Sequence, residues 1–349
     1  MNLISTRYSF ASAYLKGEEA RSIMSDHIDG LLQRTKTLQD MLDIIRDTDI
    51  GEYLNEHAGN LKTFDDIDDM LWRYVRECID RLRRFTLPAA MSRLLDVYLK
   101  KYDIQNIKNA VRGIMDATPP SAIPLGTIFD EGYLDDLAAA KTFEDIAHVL
   151  VKSGLGDYGT AVNTIRENDV RSVFEAEFLL DGLYNGVVAR TLKGMDEGAI
   201  MTKAFGIVID LANIQVVFRS ALMEGAGSFG EFITGGGHML SEDTVRELFA
   251  LKPNELAGRL ENTEYLTAAQ ETLKNYEKER SVTVIDRVLE KHRIKLLREL
   301  LSPRALSPSN LLWYLFVKEL EVRNLRLLFK TLMDGIPPSD VRDYVVTVS

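Results

Sequence analysis

The sequence predicts an all-α protein made of three similar helical segments, and three observations lead to that prediction. Apolar residues recur at every third or fourth position, as in Leu71, Tyr74, Val75, Cys78 and Leu82. No convincing run of alternating β-branched residues is present. In addition, one polar motif occurs three times along the chain, which indicates a repeated helical unit.

Length and composition limit the classes of protein to consider. The chain has 349 residues, of which 46% are hydrophobic, and this length suits two or three domains with their own cores. The formal net charge of −11 disfavours nucleic acid and anionic lipid as partners, because both are polyanions. Cys78 is the single cysteine, so no intramolecular disulfide can form, which fits a reducing compartment such as the cytoplasm.

Glycine and proline divide the chain into segments of about 110 residues, a normal domain size. They cluster in three expected loops, at 118–126, 225–237 and 335–338. A further helix is expected to begin at Ser241, whose hydroxyl can cap it before two acidic residues. We therefore place the three helical repeats at residues 1–125, 126–236 and 237–349.

The repeated motif reads acid, aliphatic, any residue, Asn, aliphatic, polar or basic, and then a base after three variable positions. Its polar members are Asp103, Asn106 and Arg112, then Asp210, Asn213 and Arg219, and finally Glu321, Asn324 and Lys330. Each asparagine is expected to satisfy a neighbouring backbone group, and each acid to lie near a helix N-terminus or pair with a base. A motif used three times favours a structural role over catalysis, which needs different groups in one pocket.

The aliphatic positions around the motif form one narrow stripe on a helix, so that this stripe is predicted to face a core. The stripe residues are Ile104, Ile107 and Val111, then Leu211, Ile214 and Phe218, and finally Val322, Leu325 and Phe329. A second register aligns Gly126–Leu137 with Gly237–Leu248, and a third copy of it is expected to begin at Gly335.

The sequence offers no convincing catalytic, cofactor-binding or metal-ligating constellation. Gly225–Gly230 has the form GxGxxG, but a helical motif precedes it where a dinucleotide site needs a strand. Gly235–Gly237 lacks the Lys and Ser or Thr of a phosphate loop, so we interpret it as a turn between repeats. The five histidines lack metal-ligand spacing, and no nucleophile-elbow pattern is present.

The stretch Tyr102–Gly113, YDIQNIKNAVRG, resembles the signature of the C subunit of archaeal A-type ATP synthases and bacterial V-type ATPases. The eukaryotic relative of that family is the d subunit of the V-ATPase. The similarity continues through Ile123–Gly126, Asp210–Arg219, Lys318–Arg326 and Gly335–Pro337. It covers most of the chain, although Glu321 and Lys330 replace Asp and Arg in the third copy, which leaves the pairing there open.

The resemblance implies an all-helical funnel of three similar domains around a pseudo-threefold axis. It implies a non-catalytic central-stalk rotor subunit that joins the D and F subunits of the axle to the membrane proteolipid ring, during ion transport and ATP synthesis or hydrolysis. The membrane stator subunit is a further candidate partner, and no cofactor is implied. An alternative is a soluble helical protein-binding scaffold unrelated to the ATPase, and a helical enzyme is less favoured.

The expected location is the cytoplasmic face of the cell membrane, with attachment through other proteins and without direct lipid anchoring. The longest strongly apolar run, Leu311–Val317, is far shorter than the roughly 20 residues of a membrane-spanning helix. The sequence therefore predicts a peripheral protein with no spanning segment.

Overall fold

The computed structural model describes residues 6–57, 59, 63–118, 121–167, 170, 172–222 and 233–348. Helices are the regular elements of these residues and no β-strand occurs among them, which confirms the predicted all-α fold. The helices are α1 (Ser9–Ala20), α2 (Ser25–Arg34), α3 (Leu38–Ile44), α4 (Asp49–His57), α5 (Phe64–Arg84), α6 (Ala89–Asp116), α7 (Thr127–Asp130), α8 (Leu134–Ala138), α9 (Phe143–Lys152), α10 (Gly156–Glu167), α11 (Val173–Leu192), α12 (Gly198–Leu222), α13 (Glu242–Phe249), α14 (Pro253–Arg259), α15 (Leu266–Glu279), α16 (Thr283–Leu301) and α17 (Pro308–Met333).

Several of these helices begin with a reciprocal cap. Thr37 Oγ1 accepts a hydrogen bond from Asp40 N at 3.2 Å, and the Asp40 carboxylate accepts one from Thr37 N at 2.8 Å. Helices α5 and α9 begin in the same way. Ser241 Oγ accepts from Thr244 N at 3.2 Å, so the predicted start of α13 is confirmed. Such caps satisfy amide groups that have no partner inside the helix.

Three pairs of consecutive long helices form the frame: α5 with α6, α11 with α12, and α16 with α17. The second helix of one pair packs against the first helix of the next, since α6 contacts α11 and α12 contacts α16. Helix α17, the last long helix, packs against both α5 and α6. The order of contacts therefore closes on itself although the chain is linear.

Three large hydrophobic clusters of the described residues lie around this frame, and a small fourth cluster joins Ile294, Leu320 and Val346. The first joins α17 to the N-terminal third, so that Leu325 shares a core with Leu42. The second joins α6 to α7–α11, as Ile107 and Ile146 show, and the third joins α12 to α13–α16. All nine stripe residues are buried, which confirms the predicted core faces. Each core therefore connects the motif helix of one predicted repeat to the short helices of the next.

Helix α12 corrects the expectation that no segment is long and apolar enough to span a membrane. Its mean hydropathy reaches 1.5, and within the described part of the chain it alone meets that test of length and composition. However, 56% of its most apolar window is buried inside the protein, and the helix packs against α11, α13 and α16. The uninterrupted apolar runs of α12 are short because polar residues such as Asp210 and Asn213 divide them, so run length alone does not identify this helix.

Candidate functional site: three clamps and a central cavity

Each repeated asparagine holds a loop by its backbone, as the first two copies show. Asn106 donates from Nδ2 to the Ile123 carbonyl at 2.9 Å and accepts at Oδ1 from Ile123 N at 2.8 Å. Asn213 makes the same two bonds to Thr234, at 2.8 and 3.0 Å. We call this two-bond contact, together with the bonds of the neighbouring acid, a clamp. A buried backbone group without a partner costs about 1–3 kcal/mol, so each asparagine fixes the loop after its helix.

The acid of the first clamp binds the start of the next short helix. The Asp103 carboxylate accepts from Thr127 N at 3.0 Å and from Ile128 N at 2.9 Å. Gly126 has φ of 97°, and a Cβ there would collide with the carboxylate, so both geometry and space require glycine. Burial raises the pKa of Asp103 above its ordinary value, although the hydrogen bonds from Ile128 and Thr127 oppose that shift.

The second clamp has the same form with one added side chain. Asp210 accepts from His238 N at 2.9 Å, from Met239 N at 2.7 Å and from the Tyr265 hydroxyl at 2.6 Å. A Cβ on Gly237 would collide with this carboxylate, as it would at the equivalent glycine of the first clamp. Burial raises the pKa of Asp210 as well, so the carboxyl groups of both internal clamps have pKa values above the ordinary one.

The third clamp is completed by both ends of the chain. Glu321 Oε1 accepts from Ile23 N at 2.6 Å, while Asn324 Nδ2 donates to the Val346 carbonyl at 2.7 Å and Oδ1 accepts from Val346 N at 3.3 Å. The third copy of the second register was expected to begin at Gly335. However, Gly335 does not lie against the clamp carboxylate as Gly126 and Gly237 do, since a Cβ on it would meet nothing within 4 Å. The N-terminal segment supplies the partner of Glu321 instead.

The bases of the first two motif copies pair with the next long helix of the frame. Arg112 of α6 forms an ion pair with Glu177 of α11. Arg219 of α12 binds both oxygens of Asp286 in α16 at 2.8 Å. The motif therefore joins successive helices through its base as well as successive loops through its acid and amide.

The third copy departs from this pattern at the position where a lysine replaces the arginine. Lys330 pairs with Asp334, four residues away at the end of its own helix, at 2.8 Å. The contact with the next helix of the frame is made instead by Arg326, whose Nε lies 2.6 Å from Asp68 in α5. The pairing that the sequence left open is thus supplied one helical turn earlier.

A buried charge cluster lies where α17 meets the N-terminal third, and we call it the seam cluster. Arg81 contacts both oxygens of Asp49 at 2.9 and 2.8 Å, and the Tyr74 hydroxyl donates to Asp49 at 2.8 Å. Lys318 donates to the Tyr74 oxygen at 2.7 Å and pairs with Glu321 at 3.0 Å. Asp49, Lys318 and Glu321 are each at most 5% exposed. The charges are therefore compensated away from water.

No sequence motif predicted the seam cluster, although one signal for it exists. Lys318 and Glu321 directly follow the apolar run of α17, one turn apart, and charges on so apolar a helix need partners. Burial favours a raised pKa at Asp49, but the hydrogen bonds from Arg81 and Tyr74 and the charge of Lys318 outweigh it and hold the pKa at about 2.

A central cavity of about 790 Å³ lies among α5, α6, α11, α16 and α17. Six basic and four acidic side chains line it, in a chain whose net charge is −11. These are Lys101, Lys108, Arg112, Arg293, Arg323 and Arg326, with Asp68, Asp181, Glu290 and Glu319. The cavity is therefore locally more basic than the protein as a whole.

Ion pairs organise the cavity wall. Lys101 pairs with Glu319, and Glu290 lies 2.6 Å from Arg293 and 2.9 Å from Arg323. The pairs join α6 to α17 and α16 to α17, so they hold the surrounding helices to one another. A wall of compensated charge suits the docking of a polar protein segment, whose own charges can share these partners.

The motifs considered for other chemistry have separate outcomes. Gly225–Gly230 lies outside the described residues. Gly235–Gly237 forms the turn before α13, in which Gly236 has φ of 92°. Among the described residues, no group of three or more His, Cys, Asp or Glu side chains is placed to hold a metal ion.

The comparison with known families decides the assignment. The model of the ATP synthase (C/AC39) subunit family matches residues 11–344. The chain belongs to this family. It is a subunit of an A/V-type ATPase, as the resemblance of its sequence motifs indicated, and the alternative of a scaffold unrelated to the ATPase has lost its support.

Archaeal relatives of this ATP synthase (C/AC39) subunit are named as the C subunit of an A-type ATP synthase. The protein of Methanocaldococcus jannaschii is 25% identical, over 98% of this chain and 86% of its own length. That of Pyrococcus abyssi is 25% identical, over 97% and 90%. That of Thermococcus kodakarensis is 27% identical, over 99% and 92%. The similarity thus extends over nearly the whole of both chains.

Proposed function

We propose that this chain is a non-catalytic rotor subunit of the central stalk, which joins the D and F subunits of the axle to the membrane proteolipid ring. The repeats at 1–125, 126–236 and 237–349 then surround a pseudo-threefold axis as a funnel. The observation that carries the proposal is the central cavity, because long helices from all three repeats line it. An axle seated there contacts every repeat at once.

The contacts around the cavity suit the transmission of torque. The long helices follow one another in a closed order, and each motif copy ties a helix to the following loop. Closely packed interiors have low compressibility, so a closed set of helices transmits a twist with little deformation. The ion pairs of the wall add contacts between helices that a turning axle would otherwise separate.

The membrane side of the proposal rests on charge. A chain of net charge −11 is repelled by anionic lipid within about a Debye length, roughly 8 Å at physiological salt. Attachment at the cytoplasmic face is therefore through the proteolipid ring, with the stator subunit as a further contact. Catalysis of ATP synthesis or hydrolysis belongs to other subunits in this proposal.

Site-directed cross-linking in the purified complex tests the axle socket. Cys78 is buried, so a Cys78→Ser background allows one reactive thiol to be introduced at a chosen place. Gln105→Cys places it in the cavity wall, and Lys274→Cys places a matched thiol on the exposed surface of α15. We expect Gln105→Cys to form a cross-link to an axle subunit and Lys274→Cys to form none.

Two results would contradict the socket. Equal cross-linking of the axle from both positions means that contact is not directed by the cavity. Cross-linking from the α15 position alone places the axle on the outer surface. Failure of the chain to co-purify with proteolipid and axle subunits from membranes contradicts the rotor assignment as a whole.

A further inference from the structure

A second groove, of about 600 Å³, lies between α16 and the C-terminal segment 345–348. It shares only Ile294 with the lining of the central cavity. The proposed axle socket therefore does not account for it. Its lining combines a row of bases on α16 with a wall of valines on the C-terminal segment.

The bases are Lys291, Lys295 and Arg298, which follow one another at one-turn spacing along α16. All three are exposed, and none forms an ion pair with another residue of the described chain. Their neighbour Arg287 on the same helix, in contrast, pairs with Glu279 at 2.6 Å. The three cations thus remain available to a ligand.

The acids of the groove do not neutralise this row. Asp343 lies 3.4 Å from Arg287 and has a partner already. Glu299 stands four residues after Lys295 but forms no ion pair with it in the described structure. A chain with net charge −11 therefore presents uncompensated positive charge at this groove, which favours an acidic partner.

The apolar wall is fixed in place before any ligand arrives. Val346 is held by both hydrogen bonds of Asn324, and Val345 has extended backbone angles of −83° and 123°. Val348 and Pro303 continue the wall. A rigid wall lowers the ordering cost of binding, so this groove is suited to hold apolar side chains.

We propose that this groove binds an extended, acidic segment of a partner protein, with carboxylates on the bases of α16 and apolar side chains on the valines. Lys291 and Lys295 are separated by about 6 Å of helix rise and Lys295 and Arg298 by about 4.5 Å, while alternate residues of a strand are separated by about 6.6 Å. Because the basic side chains are long and exposed, every second side chain of an extended segment can reach the row of bases. The intervening side chains point to the valine wall. Bases spread along two helical turns do not converge on a single phosphate.

The test uses the full-length chain and a fluorescent peptide of alternating glutamate and valine, followed by anisotropy. The groove variant carries Lys291→Gln, Lys295→Gln and Arg298→Gln. The control variant carries Lys274→Gln, Lys278→Gln and Arg280→Gln, which remove equal charge from exposed positions on and just after α15 that are unpaired in the described structure. Three exposed charge pairs together correspond to roughly tenfold in affinity, so we expect about that loss in the groove variant alone.

A second variant examines the apolar wall. Val348→Asp places a carboxylate among the valines, and we expect it to weaken peptide binding while the chain stays folded, since Val348 is only half-buried. A peptide of alternating glutamate and serine is expected to bind more weakly than the valine peptide. Equal binding of the two peptides contradicts a role for the wall.

Other outcomes overturn the proposal directly. Equal loss in the groove and control variants means that the peptide responds only to net charge. Absence of peptide binding by the wild-type chain would show that the groove is not a binding site for an acidic extended segment. Flotation of the wild-type chain, but not the groove variant, with vesicles of phosphatidylcholine and phosphatidylserine identifies lipid as the occupant. None of these assays contains an axle subunit, so their outcome is independent of the proposed rotor function.

Discussion

The two internal clamps and the third clamp perform the same task with different chemistry. Asp103 and Asp210 bind loops that follow closely in the chain, and backbone amides supply most of their partners. Glu321 instead reaches Ile23, 298 residues away, and Lys318 compensates its charge. A nearby loop costs less entropy to fix than a distant one. Additional charge pairs therefore accompany the contact that joins the two ends of the chain.

The contrast is also electrostatic. Burial raises the pKa of both internal acids, which have no cation among their hydrogen-bond partners in the described structure. Asp49 of the seam cluster is also buried but has Arg81 and Lys318 beside it, and its pKa falls to about 2. Among these three acids, the pKa is lowered only at the one with neighbouring cations.

The largest effect is expected from removal of the buried cation of the seam. Lys318→Ala leaves Asp49 and Glu321 without that charge, and loss of one partner from a buried ion pair costs about 3–5 kcal/mol. The matched control is Lys330→Ala on the same helix, whose exposed pair is worth about 0–1 kcal/mol. Urea unfolding of both variants measures the difference. Similar losses of unfolding free energy in the two variants would mean that the buried lysine of the seam cluster stabilises the fold no more than an exposed one.

Truncation of the apolar stripe is expected to affect all three copies alike. Ile107→Ala, Ile214→Ala and Leu325→Ala each remove a fully buried side chain, and such changes cost about 2–5 kcal/mol. Arg84→Ala serves as the control, because its side chain is 69% exposed. Thermal melts compare the four variants. A loss at Arg84 equal to that at Ile107 would contradict the core assignment.

Replacement of the asparagine of each clamp is expected to lower the free energy of unfolding by less than truncation of the stripe. The region that loses protection is expected to differ between the third copy and the first two. Asn106→Ala, Asn213→Ala and Asn324→Ala each remove two hydrogen bonds to a loop backbone, and the net contribution of such a bond is about 0.5–1.5 kcal/mol. Hydrogen exchange locates the change. Asn324→Ala should expose amides of the C-terminal segment, whereas the other two should expose the loops before α7 and α13. Exchange that rises uniformly in all three variants argues against local clamps.

The pH dependence of the seam provides the smallest expected effect. The folded pKa of Asp49 is about 2, below the ordinary value of 3.8, so its ionised form stabilises the folded chain above pH 4. That contribution, about 2 kcal/mol, is lost as pH falls toward 2. We expect the free energies of unfolding of the wild type and Asp49→Asn to differ most at neutral pH and to converge in acid. A gap that stays constant down to pH 2 contradicts the assigned cluster.

Local patterns in the sequence predicted the helices, the stripes and the cap at Ser241, because each depends on residues that lie close together in the chain. The backbone partners of Asn106 and Asn213 follow within one loop, and the sequence could anticipate that kind of contact. The partners of Glu321 and Asn324 could not be predicted from the sequence in this way. They depend on two distant segments that meet only in the folded chain.

The seam cluster and the central cavity show the same limit. Asp49, Arg81 and Lys318 come from three helices, and no spacing rule relates their positions. The cavity exists only because α17 returns to α5, so its lining follows from the closed order of the helices rather than from any single motif.

Electron cryo-microscopy of the intact complex would show directly whether the axle occupies the central cavity. We expect the end of the axle to lie within the cavity among α5, α6, α11, α16 and α17, in contact with all three repeats, while the opposite end of the subunit contacts the proteolipid ring. A map in which the cavity is empty and the axle contacts an outer surface would contradict it.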